Sequence, residues 1–390
     1  MILGVNGIRL VGKRSGVGRC IEAILSCLGR MEHPFSDIRV YTPTPLSNDV
    51  VLPAAARNVV LPSHWPLAVW EQVTLPRAHG GQNVLLCPSY VIPFFARCPT
   101  LVIHHGSYEG YPQAFSWWEL NKARVAYCVS ARLATVVTTV SEHSKKDMVR
   151  FYGINPERVH VVPEGVDTTL FRHVDNQERL KDWRVRVLGS DTPYIVYVGK
   201  PTERRNLSSL IKAFSLLKKQ DEIPHKLLIV GAELPGTSPF RQVIISEGLS
   251  EQVVVLGYAD HQEMVFVYNA ADLLVYPSSY EGFGMPVLEA MACGTPVIAL
   301  DNTSFPEIAG GVAHLLNNAE VATLKDGIKA VLGDPGMRKR MSADGPKRAA
   351  AYDWHLVTKR YLELIIPLAG EPGCEKSRSS VPMVFDVPPL

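Results

Sequence analysis

Ten short runs rich in β-branched and aromatic residues, separated by stretches of helical periodicity, constrain this chain more than any other feature. In the first half they are Ile38 to Tyr41, Val84 to Cys87, Leu101 to His104, Thr135 to Val140 and Val159 to Val162. In the second half they are Tyr194 to Val198, Lys226 to Val230, Val253 to Leu256, Leu273 to Tyr276 and Pro296 to Leu300. Strands that alternate with helices pair in parallel, because each helix carries the chain back to the edge where the last strand began. At 390 residues the chain exceeds one ordinary α/β core, so the expected fold is α/β with two parallel-sheet domains and a cleft between them. The polar stretch Phe171 to Asp191 lacks a strand signal and marks the crossing, with the hinge inside it. The expected domains are 1–172 and 190–350. Apolar residues at helical spacing from Trp354 to Pro367 predict a helix within 351–369, and 370–390, rich in Pro, Ser, Gly and charge, reads as a flexible tail.

Composition excludes several classes. A formal net charge of +2 offers no dense cationic surface for nucleic acid. No apolar run approaches the roughly 20 residues of a membrane-spanning helix, and the N-terminus enters a strand without a signal-peptide pattern. The seven cysteines form no CxxC pair, which fits reduced thiols and a cytoplasmic location, with the inner face of the membrane as an alternative. No DxD-like pair or His/Cys cluster offers a metal site, so no metal and no cofactor is expected.

The chemistry concentrates in Tyr276-Pro277-Ser278-Ser279-Tyr280-Glu281-Gly282-Phe283-Gly284-Met285-Pro286-Val287-Leu288-Glu289-Ala290-Met291. It reads as strand, loop and helix. Gly282 and Gly284 let backbone approach a ligand, and Pro286 suits the first helical turn, where its missing N–H costs nothing. The free amides and positive dipole end of that helix then meet the carboxyl edge of the sheet, where α/β folds bind anionic ligands. Glu281 lies in the loop and Glu289 about one turn inside the helix, so both carboxylates are placed to accept hydrogen bonds from hydroxyls of one long ligand. The plainer alternative, acids that only stabilise the helix dipole, accounts for about 0.3 to 1 kcal/mol each.

This segment resembles the signature of family 4 of the retaining glycosyltransferases, in which two glutamates separated by seven residues flank a Gly-aromatic-Gly loop. The resemblance extends through Gly16-Val17-Gly18-Arg19, Val140-Ser141-Glu142, Glu164-Gly165-Val166-Asp167, Val198-Gly199-Lys200 and the Pro296-Val297 strand. It implies the GT-B architecture: two Rossmann-like domains, acceptor-binding then nucleotide-sugar-binding, with the C-terminal helix returning to the first. It also implies a retaining, metal-independent transfer by front-face attack, in which a donor phosphate oxygen takes the acceptor proton.

By the same resemblance Glu289 binds the donor ribose, Glu281 lies beside the transferred sugar, and the amides of Gly282, Phe283, Gly284 and Met285 hold sugar hydroxyls and diphosphate. Arg205, in Gly199-Lys200-Pro201-Thr202-Glu203-Arg204-Arg205-Asn206, occupies the position of a family lysine that neutralises the diphosphate, with Lys200 as a weaker candidate. Gly16 and Gly18 of Lys13-Arg14-Ser15-Gly16-Val17-Gly18-Arg19 match a glycine loop that approaches the diphosphate from the other domain, and Tyr258 ends the strand near the nucleobase. His104 aligns with a histidine that contacts the sugar. His105 replaces the usual aspartate and is expected at the surface, with Glu109 as a substitute acid, and Glu164 stands where asparagine is common. Ser141 is expected to cap the helix through Lys145 and Met148.

The implied partners are a nucleotide-diphosphate sugar, UDP-glucose favoured and GDP-mannose second, and a saccharide or lipid-linked acceptor in polysaccharide biosynthesis. Peripheral membrane contact through Lys145, Lys146 and Arg150 stays open beside their reading as a solvated face. A nucleotide-sugar epimerase and a non-catalytic nucleotide-sugar-binding subunit are the alternatives from other classes.

Overall fold

The computed structural model describes residues 1–12, 16–78, 81–114, 116–220, 222–231 and 233–370. Lys13, Arg14 and Ser15 of the glycine loop, and 371–390 of the expected tail, lie outside the described residues.

The first sheet has seven parallel strands: β1 (Ile2–Asn6), β2 (Asp37–Thr42), β3 (Ala56–Val60), β4 (Val84–Cys87), β5 (Thr100–His104), β6 (Val136–Thr139) and β7 (Val159–Val161), in the order β3-β2-β1-β4-β5-β6-β7. The second has six: β8 (Tyr194–Val198), β9 (Lys226–Val230), β10 (Val253–Leu256), β11 (Leu273–Tyr276), β12 (Val297–Leu300) and β13 (His314–Leu316), in the order β10-β9-β8-β11-β12-β13. Both are doubly wound. The strand order reverses between β1 and β4 and again between β8 and β11, which opens a crevice at the carboxyl ends of each pair. The central strand Tyr-Ile-Val-Tyr-Val of β8 is buried throughout, as a strand covered on both faces requires.

Besides β1, read from the N-terminus, two strands have no counterpart among the sequence runs. β3 (Ala-Arg-Asn-Val-Val) and β13 are edge strands, only partly buried, so neither carries the continuous apolar run of a central strand. The crossing between the domains holds a helix, Gln177–Leu188, capped by Asn176, ended by left-handed Gly189, and seated on Leu180, Trp183 and Leu188.

The helix Trp354–Gly370 buries Trp354, Val357, Tyr361, Leu362, Ile365 and Leu368 and packs on the helix Gly16–Leu28 and on β4, so it returns to the first domain. The outgoing and returning crossings run side by side. Val166 N–H donates to Tyr352 O at 2.9 Å and Trp354 N–H to Val166 O at 3.2 Å. Gly165 permits this contact, since a Cβ there would stand 2.7 Å from the Trp354 ring.

Glu71, beside the carboxyl end of β1, accepts a hydrogen bond from the Asn6 amide at 2.8 Å, and burial pushes its pKa from 4.5 up to about 7. The folded chain therefore holds this proton more tightly than the unfolded chain. Stability from this group is fully present below pH 4.5 and declines as pH rises towards 7, by up to about 3 kcal/mol. In Glu71→Gln that part of the pH dependence is expected to vanish, as read from urea unfolding at pH values across this interval.

Candidate functional site

The site grows from the carboxyl ends of β8 and β11. After β8 the chain turns at Gly199 with φ +128°, where a Cβ would stand 2.3 Å from the Arg205 guanidinium. Only glycine leaves that side chain its place. Asn206 then takes the left-handed conformation, φ 50°, and the helix Leu207–Lys219 begins, held by buried Leu207, Leu210, Ile211, Phe214 and Leu217. The Asn206 amide donates to Pro277 O at 2.8 Å and Ser279 Oγ at 2.7 Å, while Ser279 N–H donates to Arg204 O at 2.7 Å. The loops after β8 and β11 are thereby one unit.

Glu281 is the centre of that unit. Its Oε1 accepts from Arg205 Nε at 2.9 Å, Tyr276 Oη at 3.0 Å and Ser278 Oγ at 3.1 Å, and lies 2.9 Å from Arg204 Nη1. Burial opposes ionisation of this carboxyl, yet the two guanidiniums outweigh it and hold its pKa below the ordinary value. Burial likewise opposes the Arg205 charge, and Tyr276 and Glu281 more than offset it, so the guanidinium stays protonated. Two cations against one anion leave the cluster a positive charge in excess.

Beside this cluster two helices converge. Met285–Ala292 starts on Gly284, φ +118°, with no side chain capping it; Pro286 in its first turn has no N–H and Val287 N–H donates to Gly284 O at 3.0 Å, so the Met285 N–H is the group of that turn left for an external acceptor. Gly284 is doubly constrained, because a Cβ would also stand 2.8 Å from the Phe305 ring. From the other domain, a Cβ on Gly16 would stand 3.0 Å from Met285 Cε, so the first residue of Gly16–Leu28 meets the start of Met285–Ala292. The positive dipole ends of two helices thus border the same side chain. Gly18, two residues along, is buried.

Glu289 is buried and accepts from Tyr268 Oη at 2.7 Å, and burial raises its pKa against the opposing effects of Tyr268 and Arg19. With Arg19, Met285, Phe171, His261 and Trp354 it lines a cavity of about 530 Å³. Glu281 does not border that cavity, so the two glutamates serve separate surroundings. Tyr258, exposed, accepts from Arg19 Nη2 at 3.2 Å, and the guanidinium sits 5.7 Å from its ring centroid, a contact across the cleft.

Residues 179–348 match the family described as Glycosyl transferases group 1, and residues 14–170 match Glycosyltransferase Family 4. The chain belongs to family 4 of the glycosyltransferases. Among its relatives, the O-antigen chain mannosyltransferase B of Escherichia coli is 28% identical over 233 residues, covering 58% of this chain and 58% of that protein. The MMP alpha-(1->4)-mannosyltransferase of Mycolicibacterium hassiacum is 29% identical over 231 residues, 58% of this chain and 53% of that one. The chain thus spans 53 to 58% of the length of these two relatives. Among solved structures, sucrose-phosphate synthase from Thermosynechococcus elongatus superposes with a TM-score of 0.75 at 20% identity, covering 93% of this chain and 98% of that one. Anabaena HepE in complex with UDP-glucose superposes with the same score at 19% identity and the same coverage. These likenesses show a shared GT-B fold.

In this family-4 chain the domains meet around the glutamate loop. Gly282 O accepts from Ser141 Oγ at 2.7 Å and Ser144 Oγ at 3.2 Å, and Ser141 also caps the helix Glu142–Tyr152 through Ser144 N–H at 3.0 Å. Tyr280 Oη donates to Asp147 at 2.6 Å and accepts from Ser107 N–H at 2.9 Å. The Glu307 carboxylate accepts from the N–H groups of Glu142 at 2.8 Å and His143 at 3.1 Å, so one domain caps a helix of the other. Tyr280→Phe removes both phenol bonds and leaves buried Asp147 without that donor. It is expected to cost about 1–3 kcal/mol in denaturant unfolding.

Of the two histidines, one departs from expectation. The His104 imidazole is buried edge-on to Tyr90 and Tyr127, beside Tyr152, and neither ring nitrogen has a hydrogen-bond partner among the described residues. Side chains alternate along a strand, and His104 falls on the side of that aromatic cluster. Burial pushes its pKa down to about 3, so it is neutral. His105, expected at the surface, is buried, with Nδ1 2.7 Å from Glu164 Oε1 and Nε2 2.9 Å from Pro88 O. Two of the positions where this chain departs from the family pattern, 105 and 164, are therefore paired with each other. Glu109 instead accepts from Tyr152 Oη at 3.1 Å, and burial raises its pKa. The Lys200 side chain is exposed, and its carbonyl accepts from Arg205 Nη1 at 3.4 Å. The sequence reading did not single out Arg204, Tyr276, Tyr280 or Glu307. The adjacency of Arg204 to Arg205 and the position of Tyr276 at a strand end were the available signals.

Proposed function

We propose that this chain transfers a hexose from a nucleotide-diphosphate sugar to a saccharide or lipid-linked saccharide acceptor, with retention of anomeric configuration. The observation that carries this reading is the meeting of two positive features, the paired helix starts at Gly16 and Met285 and the Arg204–Arg205 cluster with its excess charge. A diphosphate is the group that such a site neutralises. In this reading the diphosphate lies on the N–H that begins Met285–Ala292. Arg205 stabilises the charge that builds as the glycosidic bond breaks, and Glu281, fixed by its cations, orients the sugar. Glu289, bordering the cavity, receives the ribose hydroxyls.

UDP-glucose is the favoured donor, in keeping with the UDP-glucose bound to the Anabaena neighbour. The names of the mannosyltransferase relatives support a second reading with mannose, from GDP-mannose. Calorimetric titration with UDP, GDP and ADP, followed by assay of the matching sugars, tests both. Glu289→Ala is expected to raise the donor KM about tenfold or more, through loss of a charge-assisted contact to ribose. An unchanged KM removes Glu289 from the site, and nucleoside diphosphates that fail to bind at all remove the whole reading.

A further inference from the structure

Arg19 holds a charge that the fold does not neutralise. It stands in the first turn of the helix Gly16–Leu28, a turn without an acidic residue, where the helix dipole opposes a cation. Among the described residues it has no carboxylate within ion-pair distance. Its side chain donates across the cleft, from Nη2 to Tyr258 Oη at 3.2 Å, and most of the guanidinium's N–H donors stay open. Tyr258 is 70% exposed, in the loop between β10 and the helix His261–Asn269, so core packing does not demand the contact.

A cation set against its own helix dipole, with donors to spare, is completed by an anion. The surroundings define which one. Arg19, Met285 and Glu289 border the same cavity of about 530 Å³, and the Arg19 charge favours the ionised form of the Glu289 carboxyl. The inference rests on the proposed donor reading, in which the ribose lies at Glu289 and the diphosphate at the Met285 N–H. The phosphate esterified to that ribose then falls between these two residues, on the wall that Arg19 lines. Arg204 and Arg205 do not line this cavity, so the phosphate next to the nucleoside needs a cation of its own.

We propose that Arg19 is a donor-binding residue supplied by the first domain, gripping the phosphate next to the nucleoside, and that Tyr258 holds its guanidinium in place for that contact. The donor is thereby held from both sides of the cleft. The phenol positions and the guanidinium binds: the ring 5.7 Å from the guanidinium carbon and the hydroxyl bond together fix its plane. The competing account is a clasp between the domains that never touches the ligand.

The test is calorimetric titration of the full chain with nucleoside, nucleoside monophosphate and nucleoside diphosphate, in the uridine and guanosine series. Arg19→Ala should weaken the monophosphate and the diphosphate by the same factor, about tenfold to a hundredfold, the range for a hydrogen bond to a charged group. Nucleoside affinity should not change, which also shows that the variant is folded. Arg19→Lys, which keeps the charge without the planar fork, should lose less. Tyr258→Phe should weaken both phosphates about threefold, and the double variant should bind no worse than Arg19→Ala, because the phenol acts only through the guanidinium. If the unaltered chain binds no nucleoside diphosphate, the donor reading falls and this inference with it. If it binds one and Arg19→Ala binds as tightly, or loses nucleoside and phosphates alike, this inference alone is overturned.

Discussion

Arg205→Ala is expected to lower donor turnover by about a hundredfold to a thousandfold, the range for removing one preorganised donor from a developing negative charge. The same substitution breaks a buried ion pair. Glu281 keeps Arg204 and the hydroxyls of Tyr276 and Ser278, but loses the guanidinium 2.9 Å from its Oε1. Removing one partner of a buried pair costs about 3–5 kcal/mol where nothing replaces it, and the remaining Arg204 places this case at the lower end. The two effects separate experimentally. Arg205→Lys keeps the charge without the fork, so stability should recover in part while nucleoside diphosphate affinity stays reduced. A double variant with Glu281→Gln should regain stability and no turnover. If Arg205→Ala leaves both diphosphate affinity and turnover at wild-type levels, the cluster is structural only.

Gly282→Ala is expected to have an effect of similar size by a different route. Its Cβ would stand 1.9 Å from His105 O and 3.0 Å from Gly106 Cα, both backbone atoms of the opposite domain. Neither can yield as a side chain would, so the domains must separate by an ångström or more. The interdomain bonds are lost with that separation, so the unfolding midpoint is expected to fall at least as far as in Tyr280→Phe. The Ser141 and Ser144 bonds to Gly282 O and the Tyr280 bridge are lost together, and misplacement on this scale costs about a hundredfold in turnover. Small-angle scattering should show a larger radius of gyration for the variant. A variant that closes and turns over normally would show that this domain contact is dispensable.

Much of the site was legible before any coordinates. Gly284 with Pro286 marked a helix start, and Glu289, eight positions after Glu281, fell inside that helix as expected from the 3.6-residue turn. The apolar face of Leu207–Lys219 and the helix at the end of the chain followed from the same periodicity. The edge strands β3 and β13 escaped because half-exposed strands need no apolar run. The burial of the His105 side chain against Glu164 escaped because a resemblance in sequence carries a residue type and not its tertiary partner.

What the sequence determined by itself is the local order: which segments are strands, where helices begin, and which turns require glycine, since these depend on neighbours a few residues apart. Only the tertiary structure decided the partnerships. Arg205 with Glu281, His105 with Glu164, Tyr280 with Asp147 and Glu307 with the start of Glu142–Tyr152 join residues 59 to 165 positions apart. Such pairs are set by how two sheets and their loops come together in space, and no periodicity along the chain records that distance.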